Sequence, residues 1–218
     1  METLKLIEES MPILLRGALE TIELAFLSLL LATILGLIFG IMRVSRIKYL
    51  QVLAKVYVSI IRGTPLYVQI IFFYFGLFPI LFGRATSPIT AGVFVLSLHA
   101  GAYLVEIFRA GIESIDRGQS EAGRALGFTH GQTMSYIILP QAVKRMIPTF
   151  VNQFIISIKD TSLLATIGIA ELTYSAQTIY AVNFKAFEFL AVVGVMYWIV
   201  INLLTWFSHW LEGRLSTG

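Results

Sequence analysis

The stretch Ser120–Pro140, SEAGRALGFTHGQTMSYIILP, lies between two long apolar regions and decides how the chain is interpreted. Its first residues are good helix formers, and Gly127 stands where a helix C-terminus favours a residue that tolerates positive φ. Thr129 and Gln132 have the spacing of a capping box, which predicts that a second helix begins there, and Pro140 is expected to end it. The stretch therefore predicts two short helices joined by a glycine turn, a shape suited to insertion into a partner's cleft.

The composition indicates a membrane protein with a single domain. Of the 218 residues, 57% are hydrophobic and 13% are charged, and the mean hydropathy is +0.81. This apolar content exceeds what a soluble core of this size needs. There are no cysteines, which excludes disulfides and thiolate metal sites. Met1–Ser10 carries three glutamates and one lysine, so it lacks the basic start of a cleaved signal peptide.

Five apolar segments are long enough to cross a bilayer, which takes about 20 residues each. They lie at Ile22–Met42, Val56–Phe78, Ile89–Phe108, Ile147–Thr166 and Phe187–Phe207. The predicted fold class is therefore an all-α integral membrane protein with five transmembrane helices. An odd number of spans places the two termini on opposite sides of the membrane.

The lysines and arginines are divided unequally between the two sides, and cytoplasmic loops carry the excess. One side holds ten of them, at Arg43, Arg46, Lys48, Lys55, Arg109, Arg117, Arg124, Lys144, Arg145 and Arg214. The other side holds four, at Lys5, Arg16, Arg84 and Lys185. This bias predicts that the N-terminus lies outside and that the C-terminus and the Ser120–Pro140 loop are cytoplasmic.

The second span contains the sequence Arg62-Gly63-Thr64-Pro65, which predicts a broken helix. Pro65 removes a backbone donor, Gly63 loosens the helix, and Thr64 is placed to cap a new helix. Broken helices in transporters line cavities, because the freed backbone groups need partners. The alternative is a kink in one helix, with Arg62 reaching toward the cytoplasm.

Polar and ionisable side chains interrupt the third and fourth spans. Inside a bilayer such groups are energetically unfavourable unless they are paired or hydrated. Glu106 and Arg109 stand at i,i+3 spacing, so they either pair with each other or leave Glu106 for a cationic substrate group. Lys159 and Asp160 beside a watery path would match the carboxylate and ammonium of an amino acid. Alternatively, this pair lies at the outer interface and contacts another helix. The candidate lining of a substrate path is Tyr103, Glu106, Arg109, Asn152, Gln153, Ser157, Lys159 and Asp160.

The Ser120–Pro140 loop resembles the EAA signature of ABC importer permeases. The matching positions are Glu121, Ala122, Gly127, Ile137, Leu139 and Pro140, and Gly123 stands in place of the second alanine. Three further segments resemble the polar amino-acid branch of that family: RGTPLYVQIIFFYFGL at Arg62–Leu77, GAYLVEIFRAGIESI at Gly101–Ile115 and KDTSLLATIGIAEL at Lys159–Leu172. The likeness runs from about Gly17 to Glu212, nearly the whole chain.

The resemblance implies the type I ABC importer permease fold. It divides the chain into an extracytoplasmic segment at 1–16, a transmembrane domain at 17–212 with a coupling loop at about 116–140, and a cytoplasmic tail at 213–218. It also implies that the coupling loop docks into a cytoplasmic ABC ATPase dimer, which carries the ATP and Mg, while this chain holds no cofactor. The docking residues would be Ser120, Glu121, Ala122, Arg124 and Gly127.

The resemblance implies a permease in the bacterial inner membrane that moves a polar amino acid by alternating access. An extracytoplasmic binding protein would deliver the amino acid, and a second copy or a homologue would complete the path. Glu106 and Asp160 favour a basic amino acid slightly, whereas glutamine or another polar amino acid is the alternative. A non-transporting membrane scaffold is the alternative from a different class. The chain lacks GxxxxGK[ST], HExxH, GxSxG and any basic stripe with interleaved aromatics, so neither ATPase or hydrolase activity nor nucleic-acid binding is expected.

Overall fold

The computed structural model describes residues 2–45, 47–83 and 86–216, and the secondary structure of this part is entirely helical. The first half contains α1 at Glu2–Val44, α2 at Lys48–Arg62, α3 at Leu66–Ile71, a π-turn at Phe72–Leu77, α4 at Phe78–Phe82 and α5 at Pro88–Glu113. The second half contains α6 at Arg117–Ala125, α7 at His130–Thr133, a π-turn at Met134–Ile138, α8 at Leu139–Asp160, a 3₁₀ turn at Thr161–Ile167, α9 at Leu172–Asn183 and α10 at Ala186–Ser216.

Three helices, α1, α5 and α10, are each long and apolar enough to cross a membrane, and α2 with the helical segment Leu66–Phe82 adds a fourth if that bent pair is one span. The predicted fourth span falls on α8 and the 3₁₀ turn that follows it. The count of five spans and the orientation of the termini stay predictions. Arg46, Arg84 and the last two residues of the predicted tail lie outside the described residues.

Helix α1 has 43 residues and is much longer than the predicted span Ile22–Met42. It packs along α5 through two small residues of the first span. A Cβ on Gly36 would lie 2.6 Å from the Cβ of Leu104, and one on Gly40 would lie 3.3 Å from the Cβ of Phe108. The absence of side chains at these two positions lets α1 and α5 approach closely.

The chain bends by 102° between α2 and the segment Leu66–Phe82. The prediction that Thr64 caps the new helix is wrong. Pro65 occupies the N-cap position without a side-chain hydrogen bond, and the Thr64 hydroxyl turns back and donates to the carbonyl oxygen of Ile60 at 2.9 Å. Thr64 instead satisfies a carbonyl at the end of α2, because Pro65 and Gly63 interrupt the helical hydrogen bonds there.

The first part of the Ser120–Pro140 loop folds as predicted. Gly127 has φ of 86°, and α6 ends in a Schellman motif. In this motif Phe128 N–H donates to the oxygen of Gly123 at 3.1 Å, and Gly127 N–H donates to the oxygen of Arg124 at 3.0 Å. The capping box that starts α7 is confirmed as well. These features depend on neighbouring residues alone, so the local sequence is sufficient to specify them.

The prediction that Pro140 ends the second helix is wrong. Helix α7 continues through the π-turn Met134–Ile138 directly into α8, and Pro140 lies in the first turn of α8. A proline ring inside a helix strikes the carbonyl four residues before it and leaves that carbonyl without a donor. The wider spacing of a π-turn just before Pro140 shifts these carbonyls, so the helix passes the proline without ending.

Glu171, which the sequence analysis did not single out, is completely buried and ties α9 to α10. Its carboxylate accepts hydrogen bonds from the N–H groups of Thr173 at 2.9 Å and Tyr174 at 2.7 Å, which caps the start of α9. It also accepts one from the hydroxyl of Tyr197 on α10 at 2.9 Å. In addition, the Leu172 N–H donates to Thr21 of α1 at 3.2 Å, so three helices meet at this point.

Candidate substrate cavity

A cavity of about 550 Å³ lies between the end of α2, the C-terminal half of α5 and α8. Its polar lining includes Arg62, Tyr103, Glu106, Arg145, Asn152 and Gln153. The volume falls within the range of small-molecule sites, which is about 300–1,000 Å³. The cavity therefore has the size and the polar groups to hold an amino acid.

Five of the residues that the sequence analysis singled out line this cavity, although they come from three separate helices. They are Arg62, Tyr103, Glu106, Asn152 and Gln153. Four candidate path residues are not part of its lining. Arg109 lies behind Glu106, Ser157 is buried within α8, Lys159 is exposed, and Asp160 is half-buried at the end of α8.

Arg62 lies at the α2–α3 break, beside Gly63, Thr64 and Pro65, and its guanidinium lies over the ring of Tyr103. The distance from the guanidinium carbon to the ring centroid is 4.9 Å, which is a cation–π contact. None of the salt bridges in the described part of the chain involves Arg62. No hydrogen bond from its guanidinium is found among the described residues, although its charge interacts electrostatically with that of Glu106.

Glu106, in contrast, is already paired. Arg109 donates to one oxygen of its carboxylate from Nε at 2.9 Å and from Nη2 at 2.8 Å. On the other side, the Nε of Arg43 lies 3.6 Å from the second oxygen. Arg109 also binds Glu113, so the pairing predicted from the i,i+3 spacing extends into a cluster of four charges. Two guanidinium groups thus flank Glu106, which is the carboxylate that the described residues contribute to the cavity lining.

Arg145 is a second cation in the cavity lining, and the sequence analysis used it only in the charge count. Its Nη1 donates to the backbone oxygen of Ser114 at 2.5 Å, which joins α8 to the end of α5. The signal in the sequence was its spacing, because Arg145, Thr149 and Asn152 stand at i, i+4 and i+7 and share one face of α8. Within the described ranges, no three histidine, aspartate or glutamate side chains gather where they could share a metal ion.

The predicted docking residues lie on α6 and its C-terminal turn. Glu121, Ala122, Arg124 and Gly127 are exposed, and Ser120 is half-buried. Gly123, the departure from the EAA signature, is buried against the start of the next helix. A Cβ at this position would lie 2.8 Å from Cδ1 of Ile137 and 2.9 Å from Cγ2 of Thr133. An alanine at this position would therefore require these side chains to shift.

Several known proteins are similar to this chain over almost all of its length. The glutamine transport system permease protein GlnP of Escherichia coli K12 is 42% identical over 95% of this chain and 94% of its own. The L-cystine permease protein TcyB of Bacillus subtilis is 44% identical over 94% of this chain and 87% of its own. The arginine permease protein ArtQ of the same species is 34% identical over 94% of each chain.

Solved structures of ABC transporters are also similar to this chain. A crystal structure of an amino acid ABC transporter with histidines superposes with a TM-score of 0.91 at 36% identity and covers 95% of this chain and 96% of its own. The MetNI methionine ABC transporter, in an inward-facing conformation, gives a TM-score of 0.81 at 20% identity and covers 95% of this chain and 98% of its own, which shows the fold alone.

Residues 32–217 match the protein family described as binding-protein-dependent transport system inner membrane component. The relatives are permease subunits of amino-acid ABC transporters, in which a partner chain carries the ATPase. The chain therefore belongs to this family of inner membrane components, as a permease subunit of an amino-acid ABC importer that has no ATPase activity of its own.

Proposed function

We propose that this permease moves a polar amino acid with an uncharged side chain, such as glutamine, through the cavity between α2, α5 and α8. The observation that carries the proposal is the contrast between Arg62 and Glu106 on its wall. Arg62 has no carboxylate partner among the described salt bridges, whereas Glu106 is held by Arg109 and Arg43. The substrate carboxylate binds Arg62, because a guanidinium forms strong, charge-assisted hydrogen bonds with a carboxylate.

The side chain of the substrate lies against Asn152 and Gln153 of α8. Both amides present a donor and an acceptor, so they match the amide of glutamine better than a charged group. Glu106 supports a basic substrate less than its sequence position suggested, because its charge is already neutralised. The relatives named above carry glutamine, cystine and arginine, so similarity alone supports the amino-acid class and not one member of it.

The remaining subunits follow the family arrangement. A second copy or a homologue pairs with this chain about a two-fold axis, because one chain supplies too few helices to enclose a path. An extracytoplasmic binding protein delivers the amino acid, and a cytoplasmic ATPase dimer, which carries the ATP and Mg, receives α6 of each permease subunit. The N-terminus lies outside and the C-terminus inside, with the domain limits near 17 and 212. ATP binding closes the dimer and alternates the path between its two openings.

Reconstitution of the permease with its ATPase and binding protein in liposomes tests this proposal. ATP-driven uptake and ATPase stimulation are measured across the amino acids, with liposomes that lack ATP as the control. Uptake of glutamine, with weak competition from arginine, lysine and histidine, is the expected result. Strong uptake of the basic amino acids alone would overturn the uncharged class and return Glu106 and Asp160 to the ligand set. No transport of any amino acid would contradict the proposal.

A further inference from the structure

Gln69 is a buried polar side chain in the apolar helix α3, and it lies outside the cavity lining. Its Nε2 is surrounded by three oxygen atoms at hydrogen-bonding distance. They are the backbone oxygen of Ile61 at 2.7 Å, the backbone oxygen of Thr64 at 3.0 Å and the hydroxyl oxygen of Thr64 at 2.8 Å. One side-chain amide therefore joins the end of α2 to the start of α3.

The α2–α3 break needs such a donor. In a continuous helix the oxygen of Ile61 would accept from the N–H four residues later, which belongs to residue 65. That residue is Pro65 and has no N–H. Ile61 is buried, and a buried carbonyl oxygen without a hydrogen-bond donor destabilises the fold. The amide of Gln69 supplies the hydrogen bond that Pro65 removes.

The same amide connects the break to α5. Because its nitrogen faces three oxygens, its Oε1 faces the Nδ1 of His99 at 3.1 Å. Nδ1 therefore carries a hydrogen and donates it, since Oε1 can only accept. One turn further along α5, the ring of Tyr103 lies 5.2 Å from the ring of His99 between centroids. Tyr103 is the ring on which the guanidinium of Arg62 lies.

We infer that Gln69 and His99 are positioning residues, which hold the bend between α2 and α3 and thereby set Arg62 on Tyr103 at the wall of the cavity. Arg62 is the last residue of α2 and directly precedes the break, so we expect a change at the break to displace its guanidinium from the ring of Tyr103. The contacts form a closed series: Gln69 at the break contacts His99, His99 contacts Tyr103, and Tyr103 contacts Arg62. The inference rests on the proposed binding of the substrate carboxylate by Arg62.

The first test is Gln69→Met, which keeps the length of the side chain and removes the donor. Radiolabelled glutamine is bound to the purified permease–ATPase complex without the binding protein. We expect the concentration for half-maximal binding to rise about tenfold, because a buried hydrogen-bond donor is lost. The number of binding sites should stay the same. The matched control is Gln141→Met, because Gln141 donates to Ile137 O at 2.8 Å away from the cavity. Wild-type binding by Gln69→Met would overturn the inference.

The variants of His99 separate positioning from general packing. His99→Leu removes the donor to Gln69 and is expected to weaken binding in the same direction as Gln69→Met. His99→Asn places an amide nitrogen near the position of Nδ1, so it is expected to retain binding close to that of the wild type. Equal losses in both His99 variants would contradict a role for this hydrogen bond.

A double variant tests whether Gln69 acts through Arg62. If it does, Gln69→Met added to Arg62→Gln weakens binding no further, whereas two independent effects add. Additive losses would overturn the connection to Arg62. If Arg62→Gln alone leaves binding unchanged, the proposed carboxylate site fails, and a separate measurement decides whether the bridge exists.

That measurement uses the absence of cysteines from this chain, which allows spin labels at Tyr49→Cys in α2 and Leu81→Cys in α4 without labels elsewhere on the permease. Labelled chains are diluted with unlabelled ones, so each complex carries at most one labelled copy. Gln69→Met is expected to shift or broaden the distance distribution across the break, and Gln141→Met to leave it unchanged. An unaltered distribution in Gln69→Met would show that the bridge does not hold the bend.

Discussion

Arg109 donates two hydrogen bonds to the same oxygen of Glu106, at 2.9 Å and 2.8 Å. The second oxygen of this carboxylate faces Arg43 at 3.6 Å. Glu106 thus connects the end of α1 to α5. Its carboxylate is engaged in ion pairs within the protein and is therefore less available to a ligand. This relationship changes what a substitution at this position is expected to do.

Glu106→Gln should destabilise the permease without changing which amino acids it selects. The change leaves Arg43 and Arg109 without their shared partner. The pair is partly exposed, so the free energy of unfolding should fall by about 1–2 kcal/mol, between the values for exposed and buried ion pairs. Thermal unfolding measures the first effect, and competition between arginine and glutamine measures the second. Glu113→Gln is the control, because this more exposed partner of Arg109 should matter less. A selective loss of basic amino acids would contradict the prediction.

Arg62→Gln should weaken glutamine binding about tenfold or more, because a hydrogen bond to a charged group contributes about 1.5–3 kcal/mol. The ligand itself offers a second check. Glutamine with its α-carboxylate converted to an amide should bind poorly to the wild type and lose little further in the variant. Arg16→Gln, at an exposed position of α1, is the charge-matched control. Equal losses for both ligands would show that Arg62 does not contact the carboxylate.

Gly127→Val should separate ATP hydrolysis from transport. With φ of 86° at this position, a β-branched residue strains the turn after α6 by about 1–2 kcal/mol or shifts it. No atom lies within 4 Å of the added Cβ, so backbone conformation alone causes the effect. The assay is co-purification with the ATPase and the ratio of uptake to ATP hydrolysis. Gly131→Ala is the control, since Gly131 also has open space but no positive φ. Wild-type assembly and uptake in Gly127→Val would exclude the docking role of this turn.

Gly123→Ala should lower the stability of the coupling loop, although it brings the sequence closer to the EAA signature. The new Cβ would lie 2.8 Å from Cδ1 of Ile137, so that side chain must shift, at about 1–3 kcal/mol. Ile137→Val removes the obstructing methyl, and the double variant should recover part of the loss. Thermal unfolding of the four proteins forms the cycle. A single variant as stable as the wild type would show that the loop relaxes freely around this contact.

The features that the sequence predicted well depend on neighbouring residues. The capping box at Thr129 and the positive φ of Gly127 need only a few residues of context. The interruption at 62–65 is equally local, since Gly63 and Pro65 disturb their own helix. The i,i+3 pairing of Glu106 and Arg109 also follows from helix geometry. In each case the chain within about one turn contains the physical cause.

The features that the sequence could not predict depend on partners far along the chain. Gln69 stands alone in an apolar run, and its role appears only when His99 of α5 lies beside it. Arg145 of α8 lines the cavity and donates to the backbone oxygen of Ser114 at the end of α5, a contact between positions 31 residues apart. The sequence around Pro140 predicts a helix end, but the π-turn before it shifts the carbonyl oxygens and the helix continues. A polar residue four positions after a helix-breaking proline is a signal that sequence analysis could use.

Helix α1 makes close contacts with both halves of the chain. A Cβ on Gly17 would lie 2.9 Å from the backbone of Leu172, and Gly36 meets α5 in the same close manner. These two contacts are separated by 19 positions, or about 29 Å along an unbroken helix. A rigid helix that is held at two points along its length passes a displacement from one point to the other. We therefore expect a tilt of α5 to move the region around α9 as well, because α1 contacts both at glycines.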